Sequence, residues 1–348
     1  MKKMGDKMKR IYTLMLVGMA VFALVAVDYD KGFAQEQITL KYSAWTAPKG
    51  VFADTCNTYL DKIEKLSNGR VKFERYWAGT LIPGKEEVAA VGRGVADIAV
   101  VVCKFQSRLS LMQVARLPGL GVTLETAGPI IATELAKMKP IQDQFDQNNL
   151  KLVAINGGEP EDLISSMPIR TLDDLKGKKI RCIGAAGETL KALGGVPVGL
   201  SSSEMFESFE RKVVDGVLSP FTGIYVWRLH DVAGPKYLNR IRFVSNIFYF
   251  MMNKDSWNKL PDDIKGIFQK AGEEQPAEFI RIYKSNYDRI YKAFDEAQVE
   301  IIDFSEADKK KLRDTAQVAW DKWVKDQEKK GLPGQELLDK CLELCGQK

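Results

Sequence analysis

Asp173-Asp174-Leu175-Lys176-Gly177-Lys178-Lys179-Ile180-Arg181, followed by Gly194-Gly195-Val196-Pro197-Val198, Ser203-Glu204-Met205-Phe206 and Val214-Asp215-Gly216, is the stretch that decides the fold. A short strand ends in an arginine. A helix-sized gap separates it from a second strand, and another helix leads to a third strand opening at Asp215-Gly216. Strands that alternate with helices in this way pair in parallel, with the helices on the faces of the sheet. Strand ends and loops then gather on one rim, where open α/β sheets bind ligands. Arg181 stands at such a strand end.

The alternation continues outward. Ile38 to Ala44 reads as a strand, closed by a turn from Trp45 to Gly50. Phe52 to Ser67 reads as an amphipathic helix stopped at Asn68-Gly69, and Val71 to Tyr76 as a second strand. Lys85 to Gly92 reads as a helix, and Asp97 to Val102 as an apolar strand of the buried kind. Residues 110–148 read mainly as helix and Leu150 to Ile155 as a strand. Gly157-Gly158 reads as a turn. Glu159-Pro160-Glu161-Asp162 reads as a loop of solvated acids, with a metal or acid/base pair as its alternative. Arg242 to Met252 is a long strand-like run able to pass from one domain back to the other. Pro261-Asp262-Asp263 opens a helical pattern that runs to about Gln298, with Pro276 expected to kink it or begin a new segment. A small strand at Val299 to Ile302 and two helices finish the sequence. There is no internal repeat and no low-complexity linker. Two domains joined by several crossings are therefore expected, as in two-lobed proteins that close on a hinge.

The start of the sequence indicates where the protein works. Lys2, Lys3, Lys7, Lys9 and Arg10 precede an apolar run from Ile11 to Val27, and Gly32-Phe33-Ala34 offers small residues for cleavage. Residues 1–34 thus read as a secretory signal peptide, the alternative being a short membrane anchor. Removing them leaves 45 basic against 43 acidic groups, so the mature protein is nearly neutral. Nothing in that balance suggests nucleic acid. Five cysteines remain: Cys56, Cys103, Cys182, Cys341 and Cys345. An odd count leaves at least one thiol unpaired, and mostly buried, inert thiols are expected. With His230 as the only histidine, and no nucleophile elbow, phosphate loop or zinc-protease motif, neither catalytic residues nor a metal or cofactor is expected.

Further short motifs occur in order along the sequence: Ser67-Asn68-Gly69-Arg70-Val71, Ala78-Gly79-Thr80-Leu81, Gly94-Val95-Ala96-Asp97, Pro168-Ile169, and then the Arg181 stretch itself. Each is weak alone. Together, across nearly the whole mature protein, they resemble the solute-binding proteins of tripartite ATP-independent periplasmic (TRAP) transporters, the DctP-like family. The resemblance implies a two-lobed α/β fold with a ligand cleft between the lobes and a long connecting helix. It implies a lobe I of residues 35–158 plus about 243–282, and a lobe II of residues 159–242 plus about 283–348. It also implies a periplasmic location, a membrane permease as partner, and a carboxylate clamp at Arg181. A guanidinium matches a carboxylate with paired donors, which gives the arginine a chemical reason to be the anchor.

Around that anchor the sequence departs from the sugar-acid-binding members. Trp45 stands where those have an asparagine, Val102 where they have an acid, Phe105 where they have a base, and Glu161 where they have a second arginine. Their D-G-x-E-N-P segment becomes Asp215-Gly216-Val217-Leu218-Ser219-Pro220, followed by Phe221. With Ser202 and Ser219, these residues form the expected ligand-binding set: Arg181, Trp45, Val102, Phe105, Glu161, Ser202, Ser219 and Phe221. A single charge clamp in an apolar pocket suits a small or aromatic monocarboxylate. Glu161 beside an arginine suits instead the ammonium of an amino-acid-like zwitterion. The expected protein is a monomeric binder of a small organic acid and not an enzyme. Its alternatives are a sensor module that delivers ligand to a receptor, or a periplasmic enzyme acting on a carboxylate.

Overall fold

The structure is a computed structural model that describes residues 37–102 and 106–347. The expected signal peptide and Phe105 lie outside these residues. Among the described residues, nine strands form one mixed sheet: β1 (Ile38–Ser43), β2 (Val71–Tyr76), β3 (Ile98–Val102), β4 (Leu150–Ser165), β5 (Lys179–Arg181), β6 (Val196–Val198), β7 (Gly216–Pro220), β8 (Lys236–Asn253) and β9 (Val299–Asp303). They run in the order β2-β1-β3-β8-β4-β7-β5-β6, with β9 beside β8.

Two strands are much longer than the rest, and they organise the molecule. β4 has 16 residues and β8 has 18, paired antiparallel along most of their length. The end of β8 at Phe248–Met252 carries β3, and through it β1 and β2. The start of β8 at Lys236–Arg240 carries β9. The end of β4 at Glu161–Ser165 carries β7, and through it β5 and β6. Each long strand therefore serves one lobe with one half and the second lobe with the other. Bulges in β4 between Ile155 and Gly157 and between Glu161 and Leu163 flank the changeover. A bulge bends and twists a strand, which lets one strand follow two differently oriented sheets.

Helices cover the faces. α1 (Val51–Leu66) buries Val51, Ala53, Cys56, Tyr59, Leu60 and Ile63 against the first lobe. α2 (Ala185–Ala192) connects β5 to β6. α3 (Asp262–Glu296) is a single helix of 35 residues that runs through Pro276 without interruption. Its first half packs on α1 and β4, and its last turns bury Ile290 and Phe294 in the second lobe. Pro276 is buried, so packing along both flanks offsets the hydrogen bond that proline removes.

Residues 110–148 are mainly helical, as expected, but in separate pieces: a 3₁₀ segment spans Ser107–Arg116, and helical structure resumes at Leu124. Pro118 and the left-handed Gly119 and Gly121 break it, and Thr123 caps the restart. Two expectations need correction. The stretch from Gly157 to Asp162 is not a solvated loop but the buried middle of β4. The last two helices are not confined to the second lobe. Leu312 of α4 (Glu306–Glu328) lies in the second-lobe core, whereas its Trp320, Trp323 and Val324 join Leu337, Leu338 and Cys341 of α5 (Gly334–Leu344) in the first-lobe core. Cys56, Cys182, Cys341 and Cys345 are free thiols, and burial pushes those of Cys56 and Cys182 up to about 12, which keeps them unreactive.

Candidate functional site

A cleft of about 830 Å³, its open mouth included, lies between the lobes where β4 and β8 cross, beside the end of β7. Trp45, Phe52, Glu161, Arg181, Ser202, Ser219, Thr222, Asn246, Phe248 and Tyr283 are among its lining. The size lies within the range of small-molecule sites.

Arg181 reaches the cleft from the last position of β5. It is only 4 % exposed. Its Nε donates to the Leu200 carbonyl at 3.1 Å, and Nη1 to the Leu218 carbonyl at 3.4 Å. Among the described residues, no carboxylate lies within ion-pair distance of it. Burial pulls the guanidinium pKa below its ordinary value, and the charge of Glu161 works in the opposite direction. The group is thus a fixed, desolvated cation, with Nη2 making no hydrogen bond to the described residues. A buried charge is costly until a counter-charge reaches it.

Glu161 and Glu159 both enter the cleft from β4, two residues apart and so on one face of the strand. They are 6 % and 2 % exposed. Glu161 accepts a hydrogen bond from Asn246 Nδ2, and Asn246 Oδ1 in turn accepts one from Arg116 Nη1. Glu159 accepts from the Thr222 N–H at 3.2 Å, the Thr222 hydroxyl at 2.6 Å and the Tyr287 hydroxyl at 3.2 Å. Burial nonetheless pushes its carboxyl up to about 8. On the opposite face of β4, Asp162 accepts from the Arg242 N–H at 2.9 Å and is pushed up to about 6, again by burial.

The apolar wall is aromatic. Phe52 packs against Phe248 with ring centroids 4.4 Å apart and against Trp45 at 5.8 Å. Tyr283 stacks on Phe279 at 4.0 Å. Trp227, at 39 % exposure, stands at the rim.

Five of the expected residues therefore share one cavity: Trp45, Glu161, Arg181, Ser202 and Ser219. Val102 does not line it. It is fully buried at the end of β3, opposite Phe248 of β8. Phe221 turns the other way, into a cluster with Tyr287, Tyr291 and Phe294. It opens the short helix Phe221–Val226, which gives Thr222, Gly223 and Val226 to the cleft instead. Glu159, Thr222, Asn246, Phe52, Phe248 and Tyr283 join the site without having been in the expected set. Only the period-two spacing of Glu159 and Glu161 carries a signal in the sequence, and the adjacent glycine pair and Pro160 obscure it.

The family model of the bacterial extracellular solute-binding proteins, family 7 (DctP), matches residues 43–327. The chain belongs to this family. It is a TRAP-type solute-binding protein, built on the two-lobed α/β fold of that group. A solute-binding protein of Sulfitobacter sp. (strain NAS-14.1) is 25% identical over 297 residues, covering 82% of this chain and 88% of its own. A TRAP periplasmic solute-binding protein of Desulfovibrio salexigens is 26% identical with a TM-score of 0.79, covering 89% of this chain and 96% of its own. Its crystal structure is an open complex with the C-terminus of a symmetry mate bound in the ligand-binding site. A TRAP solute-binding protein of Rhodoferax ferrireducens, in complex with copurified benzoate, shares the fold at 22% identity and a TM-score of 0.77, covering 89% of this chain and 98% of its own. No helix among the described residues is long and apolar enough to cross a membrane.

Proposed function

We propose that this protein is exported through a cleaved signal peptide, captures a small organic acid with an apolar or aromatic body, and delivers it to a TRAP permease in the membrane. The single observation that carries the reading is Arg181: buried, charged, without a carboxylate partner among the described residues, and facing a cavity large enough for a small solute. A carboxylate is the group that best satisfies a guanidinium held in this way. Trp45, Phe52 and Phe248 provide the apolar contact for the remainder of the solute, and Ser202 and Ser219 lie close enough to trim its orientation.

Two of the similar structures hold carboxylates in their ligand sites. Benzoate is an aromatic monocarboxylate, and the C-terminus of a polypeptide is itself a carboxylate. The protein acts as a monomeric binder, not an enzyme, and the lobes meet near residues 158–159 and 242–243. The solute enters between them and closure buries it. A melting-temperature screen of organic acids on protein freed of copurified ligand tests the reading. Aromatic and aliphatic monocarboxylates should give the largest shifts. Larger shifts from sugar acids would refute the apolar-pocket part, and no shift from any carboxylate would refute the whole.

A further inference from the structure

The carboxylate clamp leaves two buried acids of the same cavity without a role. Glu159 and Glu161 face the solute space from one side of β4, and neither makes an ion pair among the described residues. Acids this deeply buried are rare unless something cationic meets them. We infer that Glu161, backed by Glu159, forms a second, anionic pole of the cleft that receives an ammonium group, so that the solute is an amino carboxylate with an apolar or aromatic side chain rather than a plain acid. This rests on Arg181 taking the carboxylate.

The two acids differ in what they can offer. Glu159 already accepts three hydrogen bonds, from Thr222 and Tyr287, which occupy most of its lone pairs. It has little capacity left for a further donor. Glu161 Oε1 is held by Asn246, while Oε2 makes no hydrogen bond to the described residues. Glu161 is therefore the direct acceptor. The Asn246 amide also orients it, because Asn246 is itself anchored by Arg116.

The relation of Glu161 to Arg181 points the same way. The two charges influence each other but do not meet within 4 Å among the described residues. A direct ion pair would have neutralised both and closed the site. Opposite charges held apart across a cavity match the two ends of a zwitterion. A plain carboxylate would satisfy the cation and bring a second negative charge toward Glu161, a repulsion that grows as closure excludes water. The rings of Trp45, Phe52 and Tyr283 provide a wall for the side chain, and their faces attract a cation.

Matched ligand pairs test the inference by titration calorimetry: L-phenylalanine against 3-phenylpropanoate, and L-leucine against 4-methylpentanoate. Each pair shares a carbon skeleton and differs in the amine. The wild-type protein should bind the amine-bearing member about tenfold tighter or more, the worth of one hydrogen bond to a charged group. Glu161→Gln should remove most of that preference, leaving the plain acid within about threefold of its wild-type affinity. Arg181→Ala should weaken both members. Equal or tighter wild-type binding of the plain acids overturns the inference and leaves the Arg181 reading intact, and that comparison needs no variant to fold. Equal losses of both members in Glu161→Gln overturn it as well. Binding of neither member to wild type overturns both readings.

Discussion

Arg181 is held on one side by carbonyls and open to the cleft on the other. The Leu200 and Leu218 carbonyls fix the plane of the guanidinium before any solute arrives. On the proposed reading, that preorganisation would make the residue discriminating, because a solute without a carboxylate would leave its remaining donors unpaired in a desolvated place. Arg181→Ala should therefore weaken carboxylate binding by about 2–5 kcal/mol, roughly thirtyfold to several thousandfold, with the fold retained. Calorimetry that found the variant within about threefold of wild type would place the anchor elsewhere. Glu159 offers a separate test through stability. Burial raises its folded carboxyl to about 8, above the 4.5 of an unperturbed glutamate. Below about pH 4.5 both the folded and unfolded states hold the proton, and the contribution of this group is fully present. As pH rises toward 8 the unfolded state loses the proton first, so the stability contributed by the protonated group is lost across that window. Glu159→Gln should escape this loss. Its stability relative to wild type should rise between pH 4.5 and 8 by up to a few kcal/mol, then level off. Hydrogen bonds lost with the carboxyl shift both ends of this range equally. Urea unfolding of ligand-free protein at several pH values reads the difference, and a difference that does not vary with pH would mean that Glu159 is ionised in the folded state.

At the scale of elements, the middle of β4 and the helix crossing it set the geometry of the cleft. Gly157 has φ +106°, and a Cβ there would lie 2.5 Å from the Phe279 ring of α3. Gly272 of the same helix approaches more closely still: its Cβ would lie 2.2 Å from the Val153 carbonyl. The helix thus touches backbone to backbone along β4, and this seats Tyr283 in the cleft. Gly272→Ala should destabilise the protein by about 1–3 kcal/mol despite the better helix propensity of alanine, because either strand or helix must move. A urea midpoint equal to or above that of wild type would contradict the contact. This same region is the least legible in the sequence. Gly157-Gly158 and Pro160 are residues that normally punctuate turns, and proline is disfavoured in a central strand. Pairing with β8, flanked by two bulges and joined by β7 only from Glu161 onward, holds such a segment extended. Local propensity cannot report partners as distant in sequence as Pro220 and Val244, which flank Glu161. Arg181, Trp45, Ser202 and Ser219 are legible because they lie at or just beyond the ends of strands whose hydrophobic pattern is local. Glu159 and Tyr283 are not, because tertiary crossings bring them in.

At the scale of the molecule, the order of short motifs is enough to read the fold, since each marks a strand end and strand order fixes the topology of an α/β sheet. The sharing of elements between lobes is harder to read. β4, β8 and α3 pass from one lobe to the other, and α4 places Leu312 in one core and Trp320 and Trp323 in the other. These continuous crossings permit bending but resist sliding, so motion between the lobes should be a hinge and not a shear. The bulged stretch of β4 beside Glu159 and Glu161 is the natural bending point, because its ladder is already interrupted there. A solute held by Arg181 from the second lobe and by Trp45 and Phe52 from the first gains contacts only when the lobes approach, and that differential gain shifts the population toward closure. Small-angle scattering should then show a radius of gyration of about 20 Å for the mature protein, falling when a saturating carboxylate is added. The same ligand should leave Arg181→Ala unchanged at equal concentration. An unchanged radius in saturated wild-type protein would mean that the cleft binds without closing.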